Sequence, residues 1–204
     1  MLERTEVKIL NADPSAMGLF GLAIVTLVAS SQKLGITSGT SLIVPWAVFL
    51  GAFAQLFACI HDAKSQNVFG ATAFGGYAFF WFSMAVSWMI QNGVFGSGMA
   101  AAADGKQMAF AFLGYLIFSI FMTIAAIETN KVLLIIFIFI DCLFLGLTCS
   151  TFGIMAHGMH TFAAISELAI AIASFYGFGA NILNSHLGYS LLPLGKPLNI
   201  LRKE

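Results

Sequence analysis

Charged residues are scarce in this sequence. Only 9% of its 204 residues are charged and 59% are hydrophobic, whereas about 25% of the residues in an average soluble domain carry charge. This shortage excludes an ordinary soluble fold and predicts an all-α membrane protein embedded in the lipid bilayer. Nine basic residues balance nine acidic ones without a basic run, so we predict no nucleic acid as a partner.

Cysteine and histidine are also few, with three and four residues. The three cysteines, Cys59, Cys142 and Cys149, lie in or beside apolar runs and show no C-x-x-C spacing, which is typical of small core residues. His157 and His160 are three residues apart but have no third ligand nearby in the sequence. We therefore predict no metal and no cofactor. No segment combines a nucleophile, a base and an orienting group, so the sequence does not indicate an enzyme.

Long apolar runs, by contrast, fill most of the chain. A helix crosses the hydrocarbon core with about 20 apolar residues, and six runs meet that length approximately. We predict one six-helix transmembrane domain over residues 13–195, with short ends at 1–12 and 196–204. The predicted spans are Pro14–Ser31, Ser41–Ile60, Thr72–Met89, Gln107–Ile127, Val132–Phe152 and Thr161–Asn181.

The basic residues predict the orientation of these spans, because short cytoplasmic loops collect lysine and arginine. With six spans, the two ends and the second and fourth loops share one side of the membrane. The other side has only Lys33 and Lys106, so we predict a multi-pass protein of the cell membrane with both termini cytoplasmic. The basic residues on the predicted cytoplasmic side are Arg4, Lys8, Lys64, Lys131, Lys196, Arg202 and Lys203.

Two carboxylates fall inside the predicted spans, Asp141 in the fifth and Glu167 in the sixth. A charge at the centre of a membrane helix costs about 2.5 to 3.5 kcal/mol on insertion scales. Either residue could carry protons, with Asp141 the better candidate, or serve as a hydrogen-bonded group that holds helices together. Because no lysine or arginine lies within a predicted span, we expect neither carboxylate to have a basic partner.

The third span has an aromatic face. Tyr77, Trp81, Met84 and Trp88 follow one another at intervals of four, three and four residues, which places them on one side of a helix. The paired glycines at 75 and 76 allow close helix approach, or they expose backbone groups to a narrow passage. The pattern alone leaves two alternatives open, a structural aromatic stripe and the wall of a pore.

Four segments resemble one transporter family. The opening of the first span, D-P-S-A-M-G-L, is similar to the signature N-P-x-x-x-G-L of the acetate uptake transporter family, which includes bacterial succinate-acetate permeases and yeast acetate or ammonium transporters. Asp13 replaces the signature asparagine, and both residue types cap a helix that starts with proline. Ala78 replaces the family's glycine after the tyrosine. The other matching segments are A-Q-L-F-A at 54–58, N-V-F-G-A-T-A-F-G-G-Y-A-F-F-W at 67–81 and L-L-P-L-G at 191–195.

The resemblance implies a ring-shaped homohexamer in which each six-helix subunit has its own narrow route for small monocarboxylates. Acetate is the chief expected substrate and succinate is a secondary one, and the route is either channel-like or proton-coupled. The family's constriction residues match Leu22, Tyr77 and Ile140 here. Further residues expected along the route, as donors or at its mouth and walls, are Gln55, Thr26, Thr72, Trp81, Asp13 and the helix N-terminus at Pro14.

Two other classes of function stay open at this stage. A channel for a small neutral solute such as urea or an amide is also built from apolar helices in a ring. A membrane sensor or scaffold that transports nothing would need only the short loops and apolar spans, although we expect no signalling domain from these 204 residues.

Overall fold

The computed structural model describes residues 12–201, and within that range six helical segments are long and apolar enough to cross a membrane. This confirms the predicted all-α architecture with six spans. The single-helix spans are α1 (Ser15–Lys33), α4 (Val68–Gln91), α6 (Gly105–Ala126), α7 (Lys131–Thr151) and α8 (Ala156–Leu187). A short helix, α5 (Ser97–Ala102), precedes α6.

The second span, Ile43–Lys64, consists of three pieces. It begins as α2 (Ile43–Trp46), continues as a π-helix (Ala47–Ala54) and ends as α3 (Gln55–Lys64). Such wide π-helical segments are rare and frequently occur at functional sites. Here the π-helix packs against α4, where a Cβ atom at Gly51 would lie 2.7 Å from Cγ of Trp81. Only glycine therefore permits this close approach between the second and third spans.

The spans pack as a closed ring of neighbours. Helix α8 packs along both α1 and α7, α7 packs against α6, and the second span packs against α1 and α4. A smaller contact between α4 and α6 completes the ring. Where α8 packs against the starts of both neighbours, a Cβ atom on Gly177 would lie 3.1 Å from Leu19 of α1 and 3.4 Å from Val132 of α7. The small residue lets both neighbours pack tightly on α8.

Helices α1, α4 and α7 all begin at the same end of the bundle, which we call the mouth end. The segment after α8 folds back over this end. Asn184 accepts hydrogen bonds from the amides of Leu191 and Leu192 at 2.7 and 3.0 Å. The carbonyl of Leu194 then accepts one from the amide of Val132 at 3.2 Å. This segment thus covers the start of α7.

The structure describes only part of the two predicted terminal segments. Of the predicted N-terminal segment 1–12, residues 1–11 lie outside the described residues, and so do residues 202–204 of the predicted C-terminal tail. Four of the basic residues used for the orientation therefore have no described position: Arg4, Lys8, Arg202 and Lys203.

Candidate functional site

A cavity of about 310 Å³ enters the bundle from the mouth end. Its inner walls are mainly apolar and come from α1, α4 and α7, with Gln55 of α3 as a buried polar group. The rim is polar because several short polar side chains stand at the helix ends there. These rim residues are Asp13, Ser15, Asn67, Asn130 and Asn181.

Three helix starts surround this rim. The side chain of Asn67 accepts a hydrogen bond from the amide of Gly70 at 3.2 Å, and that of Asn130 accepts one from Leu133 at 3.0 Å. The carboxylate of Asp13 accepts one from the amide of Ser15 at 2.9 Å. A helix N-terminus carries partial positive charge, so three of them together favour an anion at the rim and partly offset the charge of Asp13.

Leu22, Tyr77 and Ile140 form the inner end of the cavity. The same three residues also line a second cavity of about 20 Å³ farther from the mouth. They therefore separate the two spaces, and we call them the neck. Each is nearly inaccessible, with exposed fractions of 6%, 5% and 3%. The structure thus brings together the three residues that the family resemblance implied for a constriction, one each from α1, α4 and α7.

The neck tyrosine has a polar partner that sequence reasoning missed. The hydroxyls of Tyr77 and Ser119 are hydrogen-bonded, with Oη and Oγ 2.6 Å apart, and Ser119 is fully buried. The available signal is the spacing of Tyr115, Ser119 and Thr123, three hydroxyls four residues apart in the otherwise apolar stretch 108–126. Tyr115 donates to the carbonyl of Gly76 at 3.0 Å, so Tyr115 and Ser119 attach α6 to α4.

The paired glycines make room for neighbouring side chains. A Cβ atom at Gly76 would lie 2.5 Å from Cζ of Phe118, and one at Gly75 would lie 2.9 Å from Sγ of Cys59. Of the two alternatives from the sequence, close helix approach is therefore the one that applies. The ring of Phe118 in turn packs edge-on against Tyr77, with the centroids 5.5 Å apart.

The other predicted route residues divide into two groups. Thr26 and Trp81 are buried and line the deeper cavity beyond the neck. Thr26 donates its only hydroxyl hydrogen to the carbonyl of Leu22 at 2.7 Å, so it offers a solute an acceptor rather than the expected donor. Thr72 lies on the exposed side of α4, and Pro14 lines a neighbouring surface groove. Neither lines the cavity.

The two carboxylates within the spans lie away from the cavity. Asp141 points toward α6, where its Oδ2 accepts a hydrogen bond from Thr123 at 2.6 Å. Glu167 forms an ion pair with Lys33, whose Nζ lies 2.9 Å from Oε2. The expectation that Glu167 lacks a basic partner was wrong. Lys33 ends α1 just beyond the predicted span, and its long side chain brings the ammonium back into the bundle.

A closed ring of apolar spans around a cavity that narrows to a neck defines this chain as a multi-pass membrane protein of the transporter or channel class. The chain belongs to the GPR1/FUN34/yaaH family, whose family model matches residues 4–196. This confirms the resemblance drawn from the four sequence segments.

Curated relatives and a solved structure agree with this membership. The succinate-acetate/proton symporter SatP of Escherichia coli K12 is 28% identical over 187 residues, which cover 91% of this chain and 96% of SatP. Acetate permease A of Emericella nidulans is 25% identical and covers 90% of this chain and 65% of its own length. The solved structure of the bacterial acetate channel SatP has a TM-score of 0.84 at 24% identity, covering 91% of this chain and 100% of that one.

Proposed function

We propose that this protein transports small monocarboxylates, chiefly acetate and secondarily succinate, through the cavity and neck of each subunit. The observation that carries the proposal is the neck itself, three side chains from three different spans between two cavities. The names of SatP and acetate permease A support the choice of substrate.

The chemistry of the cavity suits a small carboxylate. The helix starts and amide side chains at the rim attract the carboxylate group, while the apolar inner walls accept its methyl group. Among the described residues, no lysine or arginine lines the cavity. Such a route binds the anion weakly and releases it quickly, which favours rapid passage over tight capture.

Uptake into proteoliposomes tests the proposal. Purified protein would be reconstituted, and entry of radiolabelled acetate, succinate and urea would be measured against protein-free vesicles. We expect protein-dependent acetate entry well above that of succinate, and none of urea. Entry of urea without acetate would instead identify a neutral-solute channel. Absence of entry for all three solutes would favour the sensor or scaffold alternative.

We also propose the assembly and orientation implied by the family resemblance, a ring-shaped homohexamer in the cell membrane with cytoplasmic termini. The second span has a row of exposed aromatic side chains on one side. Phe49, Phe53 and Phe57 are exposed by 63%, 51% and 51%, so this side of the span is available for contact outside the subunit. Lipid or a second subunit would cover these rings. Native mass spectrometry measures the subunit number, and protease access to tags at either terminus measures the orientation.

A further inference from the structure

The ion pair between Lys33 and Glu167 lies on the route-facing sides of two helices. On α1, Leu19 and Leu22 line the cavity and Thr26 lines the deeper cavity. Residues seven apart in a helix are about two turns apart on the same side, so Lys33 continues this side of α1 beyond Thr26. It therefore lies toward the end of the bundle opposite the mouth end, which we call the far end.

Glu167 has the matching position on α8. This helix runs opposite to α1, because Asn181 near its end lines the cavity and Ile170 before it lines the deeper cavity. Glu167 comes one turn before Ile170, which is about 4.5 Å nearer the far end at a rise of about 1.5 Å per residue. Its side chain is only 2% exposed. The ion pair thus follows directly after the deeper cavity along the route.

The ammonium of Lys33 has unused hydrogen-bonding capacity. Nζ donates to Oε2 of Glu167 at 2.9 Å, and among residues 12–201 this carboxylate is its only acceptor. An ammonium carries three hydrogens, so two remain for a solute. Among the described residues, no lysine or arginine lines either cavity. A carboxylate that leaves the deeper cavity toward the far end therefore meets its first cationic group at Lys33.

The neighbouring carboxylate limits how strongly this group can bind. A lysine without a partner in an apolar surrounding would hold a carboxylate tightly through charge-assisted hydrogen bonds. Tight binding would slow passage, since conduction requires sites weak enough to release the solute. Because Glu167 neutralises Lys33, an incoming carboxylate gains hydrogen bonds but little net charge attraction. The pair is thus suited to a weak, reversible contact.

We propose that Lys33 is a carboxylate-binding site at the far end of the route, which binds the substrate through the ammonium hydrogens that Glu167 leaves free. Glu167 stays paired with the lysine and keeps the site weak enough for release. The inference rests on the proposed function and adds a residue that lies outside the spans predicted from the sequence. Its ligand class is a small carboxylate anion.

Two variants with opposite expected effects test the site. Acetate entry into proteoliposomes would be measured over a range of concentrations, which gives a half-saturating concentration and a maximal rate. Glu167→Gln leaves Lys33 without its neutralising partner, so the half-saturating concentration should fall about tenfold and the maximal rate should fall with it. Lys33→Met combined with Glu167→Gln removes the cation without leaving a buried charge, so the half-saturating concentration should rise about three- to tenfold. An ion pair that only holds α1 against α8 would shift both variants in the same direction, because both lose it.

Charge changes at the same end of the bundle but off the route are the controls. Asp104 and Lys106 are exposed at the start of α6. Asp104→Asn matches the charge change of Glu167→Gln, and Asp104→Asn combined with Lys106→Met matches the double variant. Exposed charges are screened by salt, so both controls should keep the half-saturating concentration within about twofold. Shifts as large as those of the ion-pair variants would assign the effect to surface potential and overturn the site.

A binding measurement complements the flux. Acetate that binds the folded protein raises its unfolding temperature, and the rise should be larger in Glu167→Gln than in the native protein and smaller in the double variant. An unchanged half-saturating concentration in a Glu167→Gln protein that elutes as the native one would refute the site. If that variant does not fold, the double variant decides, and a native half-saturating concentration there would refute the site equally.

The outcome separates this proposal from the proposed function. A native protein that carries no acetate contradicts the function itself. A native protein that carries acetate, with half-saturating concentrations unchanged in the ion-pair variants, keeps the function and removes only the role of Lys33 as a carboxylate site.

Discussion

Leu22→Ala should widen the neck and admit longer monocarboxylates such as butyrate. The deeper cavity of about 20 Å³ offers little more than the space of one water molecule. Acetate is larger, so its passage already requires movement of the neck side chains. Removing the leucine side chain should join the two cavities, because Leu22 lines both of them. Because one methylene in an apolar pocket changes selectivity by roughly 10- to 200-fold, the butyrate-to-acetate flux ratio should rise at least about tenfold.

The assay for this change is paired uptake of labelled acetate and butyrate into the same proteoliposomes. A buried leucine replaced by alanine also costs about 2 to 5 kcal/mol of stability, so a control must match that loss. Leu147→Ala is suitable because Leu147 is 8% exposed and lies outside both cavities. Equal flux ratios in the two variants, with both proteins eluting as the native one, would show that Leu22 does not set the size limit.

Three further changes test neighbouring groups. Tyr77→Phe should slow acetate flux about two- to tenfold by removing one hydrogen bond while butyrate stays excluded; unchanged flux in the same paired assay would reduce the tyrosine to a packing residue. Asp141→Asn should leave the pH profile of acetate uptake unchanged, because its carboxylate faces Thr123, and a flattened profile would identify it as a proton carrier. Lys33→Met should lower the free energy of unfolding by about 3 kcal/mol by leaving Glu167 unpaired. Lys33→Met combined with Glu167→Gln should recover most of that loss in chemical denaturation, and an equal loss in the double variant would contradict this.

The span count was predictable because length and hydropathy are local properties of the sequence. The positions of the helix ends were less predictable than the number of spans, as the sixth span shows. We predicted Thr161–Asn181, and α8 extends over Ala156–Leu187. Hydropathy marks the part of a helix that suits lipid, whereas the backbone continues as a helix until its hydrogen bonds end. Here α8 ends at Gly188, which has a positive φ of 75°.

The π-helix in the second span was not predictable from composition. Its residues, Ala47–Ala54, are as apolar as those of an ordinary membrane helix. A shift from i→i+4 to i→i+5 hydrogen bonds depends on contacts with other spans, such as Trp81 against Gly51. The consequence for the site is direct, because the helix that follows begins with Gln55.

The family resemblance pointed to the three neck residues. It did not point to the residue that contacts them from α6. Leu22, Tyr77 and Ile140 match recognised constriction positions, and the structure places them together. Ser119 belongs to no recognised segment, so finding it requires the register of α6 against α4. Thr72 shows the opposite error, since it lies within a matched segment but on the exposed side of the helix.

The distribution of charge along the bundle connects these observations. The carboxylate of Asp13 lies at the rim, and the buried charges of Lys33 and Glu167 neutralise each other away from the cavity. Between the rim and the deeper cavity, the described lining offers only neutral groups. An anion that crosses this neutral section would lose its hydration without gaining a cationic partner, which is costly in an apolar surrounding. A neutral acid avoids that cost, and a hydrated or only briefly dehydrated anion lowers it.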